Sequence, residues 1–208
     1  MSKNKKVIFI TGTPGVGKTT VSDYLNKELS KKYDVKIFKI NEIAIENDLI
    51  QGKDSEKGYK IVDIDKLNKK LFKIVGNDNI EDLNRNIKNN KNMGTDELET
   101  LEIAIVEGHL SHLCDHCDKV IVLRLDPKSL EKRLKKREYP ESKIQENLEA
   151  ESLAVCTVES FEKHGDIVNE IDTTGMSIDE VVIDIKKVIF NEKDFPVGKT
   201  DFMDWLIK

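Results

Sequence analysis

The chain has 208 residues, which suits a single α/β domain with a sizeable core. Charged residues make up 35% and hydrophobic ones 38%, and the net charge is −5, so bulk electrostatics does not favour nucleic acid as a partner. No apolar run approaches the length of a membrane span and the three cysteines are odd in number, so the expectation is a cytoplasmic protein without a disulfide framework.

The first predicted element is a strand at Val7–Thr11, and the stretch GTPGVGKTT, Gly12 to Thr20, follows it directly. It satisfies G-x-x-x-x-G-K-[ST] at Gly12, Gly17, Lys18 and Thr19. The glycines let the backbone approach an anion without a Cβ in the way. The loop N–H groups and the first turn of the next helix then point at phosphates. On this reading Gly12, Thr13, Gly15, Val16, Gly17, Lys18, Thr19 and Thr20 bind a nucleotide. Lys18 reaches the terminal phosphates and the Thr19 hydroxyl holds Mg²⁺. A helix is predicted from Thr19 to Lys31 and a second strand at Val35–Ile40. Another helical pattern starts near Asp63 and runs through DKLNKKLFKIV. The segment from Gly76 to Gly94 is rich in Asn and Lys and reads as a mobile insertion or a weakly packed helix, within a variable stretch over 76–98.

The third strand, Ile103–Val106, ends in Glu107, with His109 two residues on. A carboxylate at that strand end is where such folds orient Mg²⁺ and its waters. Glu107 and His109 also form a pair able to orient a water towards a terminal phosphate. The stretch HLSHLCDHC, His109 to Cys117, holds a Cys-x-x-Cys and three histidines. Its ligands lie within nine residues and no second knuckle follows, so Cys114 and Cys117 read either as zinc ligands or as small groups in a turn. Cys156 reads as a core residue.

A fourth strand is predicted at Val120–Leu125, and Asp126-Pro127 reads as the N-cap and first residue of a helix. Only four of the 34 basic residues are arginine: Arg85, Arg124, Arg133 and Arg137. Arg133 and Arg137 stand at i and i+4 before a polar turn with Pro140. That suits a short lid over 133–145 that closes on phosphates, the alternative being a solvated basic face. Ser142 and Gln145 form a capping-box pattern for a helix that Gly165 ends. A fifth strand at Ile167–Ile171 leads into DTTG, whose backbone could hold a purine, and Ser177 with Glu180 caps a last helix. A second GKT, at Gly198–Thr200, lacks both the first glycine and a preceding strand and reads as a surface turn. No N-K-x-D guanine-reading stretch follows the later strands, which argues against a GTPase. Five strand runs alternating with helices predict an α/β fold, a parallel sheet of about five strands with helices on both faces. Ligands then sit at the carboxyl ends of the strands.

In this order, TGTPGVGKTT, INEIAIENDLIQG, IVDIDKL, VEGH, IVLRLDP and RLKKREYPESKIQENLEAE resemble the small adenylate kinases of the isoenzyme-six type, found in archaea and as a nuclear protein in eukaryotes. The closing DWLIK looks like that family's C-terminal helix. The resemblance implies a single P-loop NTPase domain of nucleoside-monophosphate-kinase type over 1–208, catalysing ATP + AMP to 2 ADP with Mg²⁺. It also implies ATP hydrolysis and a part in small-ribosomal-subunit maturation through a platform ribosomal protein. Catalysis would then fall to Lys18, Arg133, Arg137, Glu107 and His109, with Arg137 also on the nucleotide. Thr19 and Glu107, the latter through water, would hold the metal. A segment over 41–75, including Asn41, Ile45 and Asp63, would border the AMP. Glu107 stands where the family often has Asp, and Ile45 where many relatives carry a basic residue. The rival expectations are an assembly ATPase and a kinase for another small acceptor, of the nucleoside- or shikimate-kinase kind.

Overall fold

The computed structural model of the chain describes residues 5–53, 60–76 and 101–207. In chain order these form β1 (Lys5–Thr11), α1 (Lys18–Leu29), β2 (Asp34–Lys39), α2 (Ile40–Glu46), β3 (Ile50–Lys53), β4 (Lys60–Val62) and α3 (Ile64–Gly76). There follow β5 (Glu102–Glu107), β6 (Lys119–Arg124), α4 (Pro127–Lys136), α5 (Glu141–Ser152), α6 (Val155–His164), β7 (Val168–Asp172) and α7 (Ile178–Ile189). Single 3₁₀ turns lie at Ser111–Leu113, Gly165–Ile167 and Met203–Trp205. The expected insertion over 76–98 lies, apart from Gly76, outside the described residues.

Five of the strands form one parallel sheet in the order β2-β5-β1-β6-β7. Its interior strands are apolar at nearly every position because both faces are covered. Ile8, Ile10, Ile103, Ile105, Ile121 and Leu123 face a core shared with α1, α4, α5 and α7. The alternate residues Phe9, Ala104, Val106, Val120 and Val122 face a second core shared with α2 and α3. A period of two thus divides each strand between two buried layers, as a doubly covered parallel sheet requires. β1 is central: β5 and β2 lie to one side and β6 and β7 to the other. The order reverses across β1, so a crevice opens at its carboxyl end, where Gly12 begins.

Helix ends follow local chemistry. Asp126 caps α4, its Oδ1 accepting from the Lys128 and Ser129 N–H groups at 3.1 Å each, with Pro127 in the first turn. Asp126→Ala is expected to cost about 1 kcal/mol, read as a lower denaturant midpoint at unchanged slope. Ser177 and Glu180 form the full reciprocal box at α7.

Four expectations differ from the structure. The Ser142–Gln145 box does not form: Pro140 occupies the N-cap and the helix starts at Glu141, leaving Ser142 inside the first turn. The single helix expected to reach Gly165 is two, broken where Ala154 adopts φ 54°. β3 and β4, an antiparallel pair of four and three residues, were not anticipated; they are too short to show a period. The closing segment forms a 3₁₀ turn at Met203–Trp205 in place of an α-helix. Among the described residues no helix is long and apolar enough to cross a membrane.

Candidate functional site

The loop after β1 turns through left-handed backbone at Gly12 (φ 131°) and again at Gly17 (φ 117°), which is also the N-cap of α1. A Cβ at Gly12 would lie 2.4 Å from the Leu123 carbonyl oxygen of β6, so only glycine fits there. Inside this loop the Lys18 ammonium donates to the Gly12 carbonyl at 2.7 Å and the Thr13 carbonyl at 3.0 Å. Lys18 is 9% exposed. Burial draws its ammonium down to about 8, while the nearby carboxylates of Glu107 and Glu151 hold it up. It is therefore mostly charged at neutral pH, largely removed from water, and answered at hydrogen-bond range by neutral carbonyls. Such a cation favours an anion at the loop mouth.

Glu107 ends β5, in register with Ile10 of β1 and Lys39 of β2. Its Oε1 accepts from the Thr19 hydroxyl at 3.1 Å. A hydroxyl and a carboxylate side by side at the loop mouth are the hard oxygen donors that suit Mg²⁺, so these residues fit the ion that a phosphate loop implies. Gly108 lets α2 close on this strand end, since a Cβ there would meet the Ile40 Cβ at 2.7 Å. His109 follows. Burial, and next the Lys18 charge, lower its imidazole to about 4, so it is neutral at physiological pH.

Two clefts flank the loop. The first, of about 560 Å³, lies between the loop, the end of α4 and the start of α7. Arg133, Lys136 and Arg137 are its cationic lining, and Val21, Met176, Ile178 and Val181 its apolar lining. Thr173 of the DTTG stretch lines it too. The Arg133 Nη1 donates to the Val16 carbonyl at 2.8 Å, while Arg137 is the C-cap of α4. The second cleft, of about 600 Å³, lies beyond Pro14. It is lined by His109, by Tyr139 and Pro140 of the α4–α5 turn, and by Lys143 and Asn147 of α5.

Of the remaining residues singled out in the sequence, Asn41, Ile45 and Asp63 line neither cleft. Asn41 and Ile45 are exposed on α2, Ile45 by 57%. Asp63 caps α3: its Oδ1 accepts from the Lys66 N–H at 3.0 Å, which first among its contacts draws the carboxyl down to about 2. Cys114 is buried in the core under α2 and α3, and Cys117 packs against it with its Sγ 3.7 Å from the His164 Nδ1. Burial pushes both thiols up to about 12. Cys156 packs on the same core, and burial pushes its thiol up to about 11, with the Lys18 charge opposing. The GKT at Gly198–Thr200 does cradle an anion, an internal one: the Gly198 and Thr200 N–H groups donate to Glu170 Oε2 at 3.0 and 3.4 Å. Thr13 lies in the loop but turns its hydroxyl inward to Glu151.

Tyr139, Lys143 and Asn147 are not singled out by the sequence, although the first two fall within the lid expected over 133–145. Nor is Glu151, although a signal existed. Ile144, Leu148 and Glu151 follow at spacings of four and three, placing a carboxylate on the apolar stripe of α5.

Residues 8–154 match a family model described as an AAA domain, AAA_18. A protein of Methanothermobacter thermautotrophicus named "Putative adenylate kinase" is 40% identical over 201 residues, covering 97% of this chain and 99% of its own. Proteins of the same name from Methanosarcina barkeri and Methanocaldococcus jannaschii are 37% and 35% identical, covering 96% and 97% of this chain and 97% and 93% of their own. Among solved structures, a thymidylate kinase from Candida albicans superposes with a TM-score of 0.51 at 15% identity, covering 92% of this chain and 94% of its own. A gluconokinase from Sinorhizobium meliloti gives 0.50 at 14% identity, covering 92% and 95%. At these identities the two structures speak to the fold, which is that of the P-loop kinases.

Proposed function

We propose, for a chain that belongs to the AAA_18 family and to the family of the archaeal proteins named putative adenylate kinase, that it transfers the terminal phosphoryl group of ATP to AMP. The observation that carries this reading is the pair of clefts on either side of the phosphate loop, one for a donor and one for an acceptor. The first matches ATP in character, with cations at the phosphate end and apolar side chains for a base. An AMP phosphate oxygen attacks the γ-phosphorus, the bond to the β–γ bridging oxygen breaks, and ADP leaves while a second ADP forms. Catalysis is mainly positioning and charge neutralisation. Lys18 and the loop amides grip the ATP phosphates. Arg133 and Arg137, on a lid over 133–145, meet the transferring group. Neutral His109, in the second cleft, orients the acceptor or a water. Thr19 and Glu107 would hold Mg²⁺, which neutralises charge on the β- and γ-oxygens when bound.

Arg137→Lys keeps the charge and loses the planar fork, so turnover is expected to fall about tenfold or more with ATP affinity little changed. Steady-state kinetics beside an ATP titration measures this. A collapse of affinity at unchanged turnover would make Arg137 a ground-state anchor.

The test of the function itself is ADP formation from ATP with AMP, with other monophosphates, with unphosphorylated acceptors, and with ATP alone. Two ADP per AMP consumed is the expected result. Equal phosphate release with and without AMP would replace the kinase by an ATPase, the activity that an assembly role would use.

A further inference from the structure

Thr13 faces two ways. Its carbonyl accepts from Lys18, and its buried hydroxyl donates to Glu151 Oε2 on α5. The Glu151 side chain is itself 1% exposed. Its other oxygen accepts from the Arg124 Nε at 2.8 Å and from the Leu125 N–H at 3.0 Å. Arg124, equally buried, also donates through Nη2 to the Glu151 carbonyl at 2.7 Å and through Nη1 to Glu170. The Thr157 hydroxyl shares that Glu170 oxygen, at 2.9 Å. The turn at Gly198–Thr200 and the Phe202 ring, 5.2 Å from the Arg124 guanidinium carbon, close the far side.

Glu151 is therefore fixed on every side but one by groups outside the phosphate loop, and on the remaining side it holds the loop. A buried ion network is weak evidence for stability and is better read by what it specifies. Here, among the described residues, its hydrogen bond into the phosphate loop is from Thr13, whose carbonyl helps to seat Lys18. We infer that Glu151 is a positioning residue for the phosphate loop, acting through the Thr13 hydroxyl to hold the Thr13 carbonyl and Lys18 in the arrangement that receives ATP. It touches no nucleotide. The inference rests on reading this loop as the grip for ATP.

The experiment is a calorimetric titration of ATP into the full chain carrying Thr13→Ser, Thr13→Val, Glu151→Gln, or the last two together, with thermal melts of each. Thr13→Ser keeps the hydroxyl and is expected to retain most of the ATP affinity that Thr13→Val loses. Thr13→Val and Glu151→Gln are each expected to weaken ATP about tenfold, the scale of one lost hydrogen bond to a charged group. The double variant is expected to be no weaker than Glu151→Gln, because both changes cut the same link. In turnover the loss falls on the KM for ATP, with kcat within about twofold. Unchanged ATP affinity in a folded Thr13→Val, or losses that add in the double variant, overturns the proposal. If Glu151→Gln does not fold, the contrast of Thr13→Val with Thr13→Ser decides the matter. A parent chain that binds no ATP overturns instead the reading of the loop on which the proposal stands.

Discussion

Lys18→Met is expected to lower phosphoryl transfer by at least about a hundredfold, the scale of removing one main electrostatic donor from a preorganised site. Methionine keeps the unbranched stem and removes the ammonium that now sits on the Gly12 and Thr13 carbonyls. The variant is expected to fold, because an almost fully buried charge is replaced by an apolar group of similar length. ATP affinity falls as well, since the ammonium meets phosphate in the ground state and in the transition state alike. Turnover near that of the parent, in a variant with an unchanged melt, would remove the phosphate-loop mechanism altogether.

Arg124→Met is expected to be the most destabilising single change on this framework, by about 3 to 5 kcal/mol. It leaves the carboxylates of Glu151 and Glu170 buried and facing a side chain that can neutralise neither. For a chain of this length that loss corresponds to a melting temperature lower by roughly 10 °C. The triple change Arg124→Met, Glu151→Gln, Glu170→Gln is expected to recover much of it, since it removes the charges together. Thermal melts of both variants measure the effect. A shift in the single variant of less than about 2 °C, under about 1 kcal/mol at this chain length, would mean that water reaches the network.

The parallel sheet was legible because its three interior strands are runs of mainly β-branched and aliphatic residues at ordinary strand length, buried on both sides. The phosphate loop was legible because its chemistry is local: glycines, lysine and threonine within nine residues and directly after a strand. The place of Glu107 beside the loop was legible because it ends a neighbouring strand. What escaped is built by contacts distant in sequence or by backbone states that carry no residue signature. Ala154 breaks a helix in left-handed backbone with no glycine or proline to announce it. Lys143 and Asn147 look like any polar helix residues until α5 folds over Pro14. Scarcity made every arginine a candidate for phosphate, yet Arg124 turns away into a network of carboxylates. Arg85 lies outside the described residues. The segment 41–75 was expected to border the acceptor, and the residues named from it stand on α2 and at the cap of α3, while the second cleft is lined by α5 and His109.

The central place of β1 has a consequence for how the protein is made. Its partners are Glu102–Glu107 on one side and Lys119–Val122 on the other, so this strand, once made, waits for about a hundred residues before either neighbour exists. At ordinary elongation rates of about 5 to 20 residues per second, that interval is roughly 5 to 20 s. Throughout it the run Val7-Ile8-Phe9-Ile10 has no sheet to join, and the glycine loop behind it has no Leu123 carbonyl to pack against. The glycine loop is thus made long before its neighbours in the sheet and is among the last parts of the molecule to take shape. An apolar strand left unpaired for seconds is a natural substrate for a holding chaperone at the tunnel exit, and any ligand of this loop can stabilise the fold only after synthesis has passed β6.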